Sequence, residues 1–241
     1  MIWRMIRAAI LCFVVCAGAG MVAYPGGTRL DPGTVGYSFT QNAFSDLGRT
    51  VARNGEPNAT SATLFVLGLT AAGLGLAVFF VALLPLASNH SRARGVAWFA
   101  CLAGIVAGVA YVAVAWTPAD RVPFEHVMAE RWAFRSFLVA SVLLGFVTAG
   151  SSIFPFRAAA AWWFFGVLLL TFILIGVFGP SRRTEAGLIV QVVAQKVIVF
   201  SALVIVAFQS CEAERAAQRL ATNARRMRGP SAALAVQPSD S

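Results

Sequence analysis

The stretch AGLIVQVVAQKVIVFSALVIVAFQ, residues 186–209, decides the fold. It is apolar almost throughout and long enough to cross a hydrocarbon core of about 30 Å as a helix. It lacks the period-two alternation that a membrane β-barrel strand would show. Lys196, the only lysine in the chain, stands near its middle, beside Gln195 and one turn beyond Gln191. A charge at that depth is costly and marks a functional site by default. The plainer alternative is a lysine that snorkels or pairs inside a helix bundle and fixes packing. Either way, polar side chains so deep must find partners within the bundle.

Working outward, five further runs of the same kind lie near 6–24, 61–87, 95–116, 133–155 and 158–178. The 241-residue chain is 59% hydrophobic and 12% charged, whereas a soluble domain carries about 25% charged residues. Backbone in lipid must satisfy its own hydrogen bonds, so these runs read as helices. The expectation is an all-α integral membrane bundle with six transmembrane helices over residues 1–209, followed by a basic tail over 210–241. In that tail SCEAERAAQRLATNARRMR favours helix, and GPSAALAVQPSDS reads as disordered. Its arginines suit an anionic leaflet or a positive-inside stop signal. The net charge of +9 therefore requires no nucleic-acid partner.

In the first run, Ala17-Gly18-Ala19 behind Arg4 and Arg7 resembles a signal-peptide cleavage site. The apolar stretch continues to Tyr24, however, which favours a retained helix. With both termini inside, ten arginines fall on the cytoplasmic side and seven in the longer outer loops, in keeping with the positive-inside rule. Alanine- and arginine-rich composition points to a bacterial source and its inner membrane. Trp3, Trp98, Trp116, Trp132, Trp162 and Trp163 fall near the expected interfaces. Cys12, Cys16, Cys101 and Cys211 all avoid the outer loops, so no disulfide framework is implied.

The residues capable of chemistry concentrate in three outer loops. Loop 25–60 opens and closes on turn signals, Pro25-Gly26-Gly27, Asp31-Pro32-Gly33 and Asn54-Gly55. Between them YSFTQNAFSDLGRT, 37–50, reads as an ordered segment lying over the bundle mouth. In TPADRVPFEHVMAERWAFR, 117–135, Pro123 can occupy a first helical turn, so the fourth span can start well outside the membrane. That places His126 and Glu130 one turn apart, and likewise Arg131 and Arg135. The last loop, GPSRRTE, carries Arg182 and Arg183.

Tyr37-Ser38, Asn42, Phe44-Ser45-Asp46-Leu47-Gly48 and Pro57 resemble the signature loop of the "domain of unknown function 998" family of small prokaryotic membrane proteins. Thr117-Pro118-Ala119-Asp120, with His126 and Ala129 downstream, is similar to that family's second motif. Gln195-Lys196 is weakly similar to a polar-basic pair there. The resemblance implies six helices over about residues 5–210. It implies no reaction, because the family has no settled one.

Several constellations compete. A three-histidine zinc hydrolase is excluded, since the chain has only His90 and His126, on opposite sides of the expected membrane. A mixed metal site of His126, Glu130, Asp46 and Asp120 is chemically feasible, but such residues near a helix start more often cap or pair. A Ser45–His126–Asp120 hydrolase arrangement is conceivable. No nucleophile-elbow glycines surround Ser45, and Ser45-Asp46 reads equally well as a cap or turn. Arg131, Arg135, Arg182, Arg183 and Lys196 would surround one outer cavity, a composition suited to phosphate or carboxylate. Against this, they can pair internally with Asp46, Asp120, Glu125, Glu130 and Glu185. Small-residue faces at Gly104/Gly108 and Ser141/Gly145/Ala149 serve helix packing within one chain at least as well as dimerisation.

The leading expectation is non-enzymatic binding or movement of an anionic lipid or small anion in a periplasm-facing polar cavity. Its binding residues would be Asn42, Asp46, His126, Arg135, Arg182, Arg183, Gln195 and Lys196. The alternatives are a membrane-embedded lipid hydrolase using His126 with Asp46 or Asp120, and a structural or regulatory subunit. No cofactor and no metal is called for. Membrane lipids are the expected partners, with a protein partner or a homo-oligomer left open.

Overall fold

The computed structural model describes residues 1–89 and 93–228. Among them are seven helices: α1 (Ile2–Ala23), α2 (Phe44–Leu47), α3 (Ala59–Asn89), α4 (Arg94–Trp116), α5 (Pro123–Ala149), α6 (Phe156–Phe178) and α7 (Glu185–Arg228). All except the four-residue α2 are long and apolar enough to cross a membrane. Large apolar side chains point outward from each of the six, including Leu11, Leu67, Leu102, Phe146, Phe164 and Val204. Such a belt requires lipid rather than water.

Two helices run beyond the apolar spans read from the sequence, each for a local reason. The helix of the fourth span begins at Pro123, ahead of the run from 133, because Pro123 seeds the first turn and the polar stretch behind it stays helical. The helix of the last span continues past 209. Neither glycine nor proline interrupts residues 188–228, so α7 is one helix of 44 residues, roughly 66 Å long at 1.5 Å per residue. Helix α7 is thus continuous across 209, from the apolar run into the basic tail. The stretch expected to be disordered, 229–241, and His90 lie outside the described residues.

Short connections make sequence neighbours pack antiparallel. The six long helices follow one another around the bundle, and α7 closes it by returning to α1 and α3. Glycine sets the closest approach. A Cβ on Gly73 would come within 2.7 Å of the Gly108 carbonyl oxygen, and one on Gly108 within 2.6 Å of that of Gly73. Gly104 sits against the Phe80 ring and Gly145 against Trp163. The small-residue faces thus serve contacts inside the chain.

Aromatic rings fill the middle of the bundle. Phe80 meets Phe137 at 6.1 Å and Trp162 at 6.3 Å, and Phe137 meets Phe165 at 4.8 Å between ring centroids. Trp162, expected at an interface, is fully buried here, and Trp3 is buried against Phe79. Trp98, Trp116 and Trp132 are exposed, as interface anchors would be.

At the end where α1 begins and α7 finishes, the α7 extension is tied down by charge. Arg7 pairs with Glu214 at 2.8 Å. Buried Glu212 takes Arg157 at 3.0 Å and Arg215 at 2.6 Å. Gln209 donates to the Ala158 carbonyl at 2.8 Å. These arginines have protein partners as well as any leaflet they meet.

Candidate functional site

At the opposite end, residues 25–58 form a compact lid whose polar side chains bond mainly to its own backbone. Two isolated bridges, Gly26 with Val35 and Val51 with Pro57, pin its ends. Gly27 adopts φ 81°, where a side chain would also strike the backbone of Arg53 and Asn54. Asn42 donates to the Gly27 carbonyl and accepts from the Ser38 N–H, both at 2.9 Å. Asn58 donates to the carbonyls of Leu47 and Arg49, also at 2.9 Å. Asp46 holds α2 from its third residue. Its Oδ2 accepts the Ala43 N–H at 3.0 Å, and its Oδ1 accepts Arg53 Nε at 2.9 Å.

Lys196 reaches this lid from α7. Its Nζ donates to the Asn42 carbonyl at 2.5 Å, under the rings of Tyr37, Phe39 and Phe44 at 5.2, 4.9 and 5.4 Å from their centroids. No carboxylate among the described residues forms an ion pair with it. Cation–π contact and one carbonyl replace water around the ammonium. Beside it, Gln195 Oε1 accepts the Phe44 N–H at 3.0 Å. Phe44 itself sits between Phe13 of α1 and Phe200 of α7, at 6.0 and 5.9 Å. The Gln195-Lys196 pair thus clamps residues 42–44 onto the bundle.

The second loop braces the lid from the side. Asp120 accepts Thr50 Oγ1 at 2.6 Å and the N–H groups of Thr50 and Val51 at 3.0 and 3.1 Å. Burial pushes the Asp120 carboxyl up, but these hydrogen bonds outweigh it and hold it below the usual carboxylate range. His126 Nδ1 lies 2.6 Å from the Thr117 carbonyl, which can only accept, so Nδ1 carries the hydrogen. Its Nε2 is buried, makes no hydrogen bond among the described residues, and lies 3.9 Å from Glu130 Oε1.

Beneath the lid runs a cavity of about 90 Å³. Ile10 and Phe13 of α1, Leu69 and Leu76 of α3, Phe134 of α5 and Val199 and Val206 of α7 contribute apolar walls. Ser45, Tyr111, Glu130 and Gln195 make its polar end, and Phe44 closes it.

The predicted constellations are not gathered as expected. Asp120 is committed to Thr50, His126 to Thr117, and no hydrogen bond joins Ser45, His126 and Asp120. Of the mixed metal set only His126 and Glu130 stay close, because Asp46 turns to Arg53. Among the described residues no group of three or more His, Cys, Asp or Glu could hold a metal.

The five cations do not surround one cavity. The 3.6-residue period puts His126, Phe134 and Phe137 on the inner face of α5, and Arg131 and Arg135 on its outer face. There the two arginines line a groove of about 410 Å³ with Phe99, Leu102 and Val106 of α4. Arg182 donates to Gln191 at 2.5 Å, and Arg183 is exposed.

Sequence reasoning missed the aromatic enclosure of Lys196, the Arg53 partner of Asp46 and the Thr50 partner of Asp120. The aromatic residues at 37, 39 and 44, in a loop that otherwise needs no rings, were the available signal. No family model, curated protein or solved structure matches this chain.

Proposed function

We propose that the protein binds a lipid-like amphiphile within the membrane, its hydrocarbon part in the cavity under the lid. The supporting observation is the cavity's shape and polarity. Its lining on α7 runs from Gln195 to Val206, roughly 16 Å at 1.5 Å per residue. That length and narrow bore suit one hydrocarbon chain. The polar groups gather at one end only, as an amphiphile with a small head requires. This keeps the non-enzymatic binding reading and moves the site from Lys196, which is sealed, to the space below Phe44 and Ser45. The proposal includes the bacterial inner membrane, both termini cytoplasmic, and kinship with the family whose loop motifs residues 37–57 resemble.

The test is a filled cavity. Ala202 lines the cavity on α7, so Ala202→Phe places a ring where the chain would lie. Native mass spectrometry of the gently solubilised protein is expected to show a lipid-sized adduct on the wild type and none on the variant. Equal adducts on both would overturn the reading.

A second reading rests on a separate observation. Arg131 and Arg135 have no hydrogen bond or ion pair among the described residues, and they flank an apolar groove open to lipid. An anionic lipid, with its phosphate between the guanidinium groups and a chain along α4, fits that groove. Arg131→Gln with Arg135→Gln is expected to abolish enrichment of phosphatidylglycerol over phosphatidylcholine around the purified protein. Unchanged enrichment excludes it.

A further inference from the structure

We infer that the amphiphile held in the cavity carries a basic, hydrogen-bond-donating head, an alkylamine in chemical class, in place of the anionic head that the arginine-rich sequence suggests. The inference rests on the cavity being an amphiphile site.

Glu130 projects into the cavity with a quarter of its side chain exposed, 25%. No lysine or arginine pairs with it among the described residues. Its one hydrogen bond, from Gln195 Nε2, is 3.5 Å long, at the outer limit of such contacts. The other end of that amide is already taken, since Gln195 Oε1 accepts from Phe44. With Nδ1 on the Thr117 carbonyl, His126 stands outside the cavity lining, and its Nε2 lies 3.9 Å from Glu130 Oε1. This nitrogen is buried and unpartnered, on a side chain only 5% exposed. Ser45 and Tyr111 line the same end, and their hydroxyls make no hydrogen bond among the described residues.

The end of the cavity therefore holds one fixed acceptor, two hydroxyls free to turn either way, and one fixed donor, which already faces Glu130. A group arriving there with several N–H donors satisfies all of them, and an ammonium carries three. A carboxylate or phosphate head would meet Glu130 as a like charge in a site poor in water. The nearby cations make their hydrogen bonds elsewhere, though Arg182 still acts on Glu130 through space. Lys196 serves the Asn42 carbonyl and Arg182 serves Gln191. An ammonium beside Glu130 would also supply the opposite charge that intramembrane acids usually find.

The experiment compares three probes of one chain length, hexadecylamine, hexadecan-1-ol and hexadecanoate, added at neutral pH to the full-length chain. Native mass spectrometry reads the fraction of each retained. The wild type is expected to retain the amine about tenfold better than the carboxylate, with the alcohol between them. Glu130→Gln is expected to abolish that difference. Tyr111→Phe, which keeps the ring against Phe134 at 5.6 Å, is expected to lower amine retention about threefold. Equal retention of amine and carboxylate by the wild type overturns the inference, as does a preference that survives both variants. Retention of all three without preference would leave the amphiphile site standing and remove only the basic head. Retention of none would remove both.

Discussion

Lys196 Nζ donates to the main-chain carbonyl of Asn42, a residue 154 positions away in the chain, at 2.5 Å. The same carbonyl accepts the Tyr37 hydroxyl at 2.9 Å. A lysine that the sequence offers as a ligand group therefore holds a lid to a helix. Replacing it by methionine keeps the volume and removes the charge. Lys196→Met is expected to loosen residues 37–44, at a cost of about 1–2 kcal/mol from the lost charged hydrogen bond and ring contacts. The six long helices should persist. Limited proteolysis of the lid, set against helical circular dichroism, checks this; a lid as resistant as the wild type's would contradict the clamp.

Asp46 organises the lid from within. It caps α2 through the Ala43 N–H and accepts two nitrogens of Arg53 at 2.9 Å. Asp46→Ala removes the cap and leaves Arg53, one quarter exposed, without its acid. The expected loss is about 1–3 kcal/mol, confined to the lid. Hydrogen exchange should accelerate over 42–58 and remain unchanged in α4 and α6.

Asp120 gives the lid a pH dependence of known sign. Its folded-state carboxyl lies below the usual range, despite burial, because of the bonds from Thr50 and Val51. A depressed acid contributes stability that is full above its unfolded value of about 3.9 and disappears as pH falls through the lower folded value. The brace should hold from neutral pH down to about pH 4 and weaken below it. Asp120→Asn should remove this dependence. Exchange rates at Thr50 and Val51 measured against pH test it, and a loss of protection already near pH 6 would point to another group.

Glu212 is 1% exposed and bonded to Arg157 and Arg215, each more than half exposed. Glu212→Gln leaves both arginines to water, so the cost should be modest, about 1 kcal/mol. The effect should be local: faster tryptic cleavage at Arg215 and Arg219, with the spans unaffected. Cleavage at the wild-type rate would show that Gln209 and the apolar contacts of α7 suffice to hold the extension.

The architecture was legible because each apolar run is a local property of the chain. The run at 186–209 and its five counterparts follow from length and composition alone, and Pro123 announced the early start of α5. The reach of α7 past Gln209 was legible too, in the absence of any breaker before Gly229. The lid was visible as an ordered segment, but its partners were not. Whether Asp46 meets Lys196 or Arg53 depends on how a 35-residue connection between α1 and α3 folds back, and sequence spacing does not fix that. The arginines misled for a simpler reason. Five basic residues near one membrane face looked like one site, yet their helical phase turns Arg131 and Arg135 away from Glu130, their neighbour in sequence. The cavity depends on small gaps between α1, α3 and α7, and no local pattern records a gap.

An amphiphile in the cavity under Phe44 and Ser45 is the proposal on which the others depend. Native mass spectrometry of gently solubilised wild-type and Ala202→Phe protein tests it most directly. A single lipid-sized adduct is expected on the wild type and not on the variant, with the melting temperature of the unliganded forms unchanged. A wild type without any adduct, or a variant carrying the same adduct in equal amount, would contradict it.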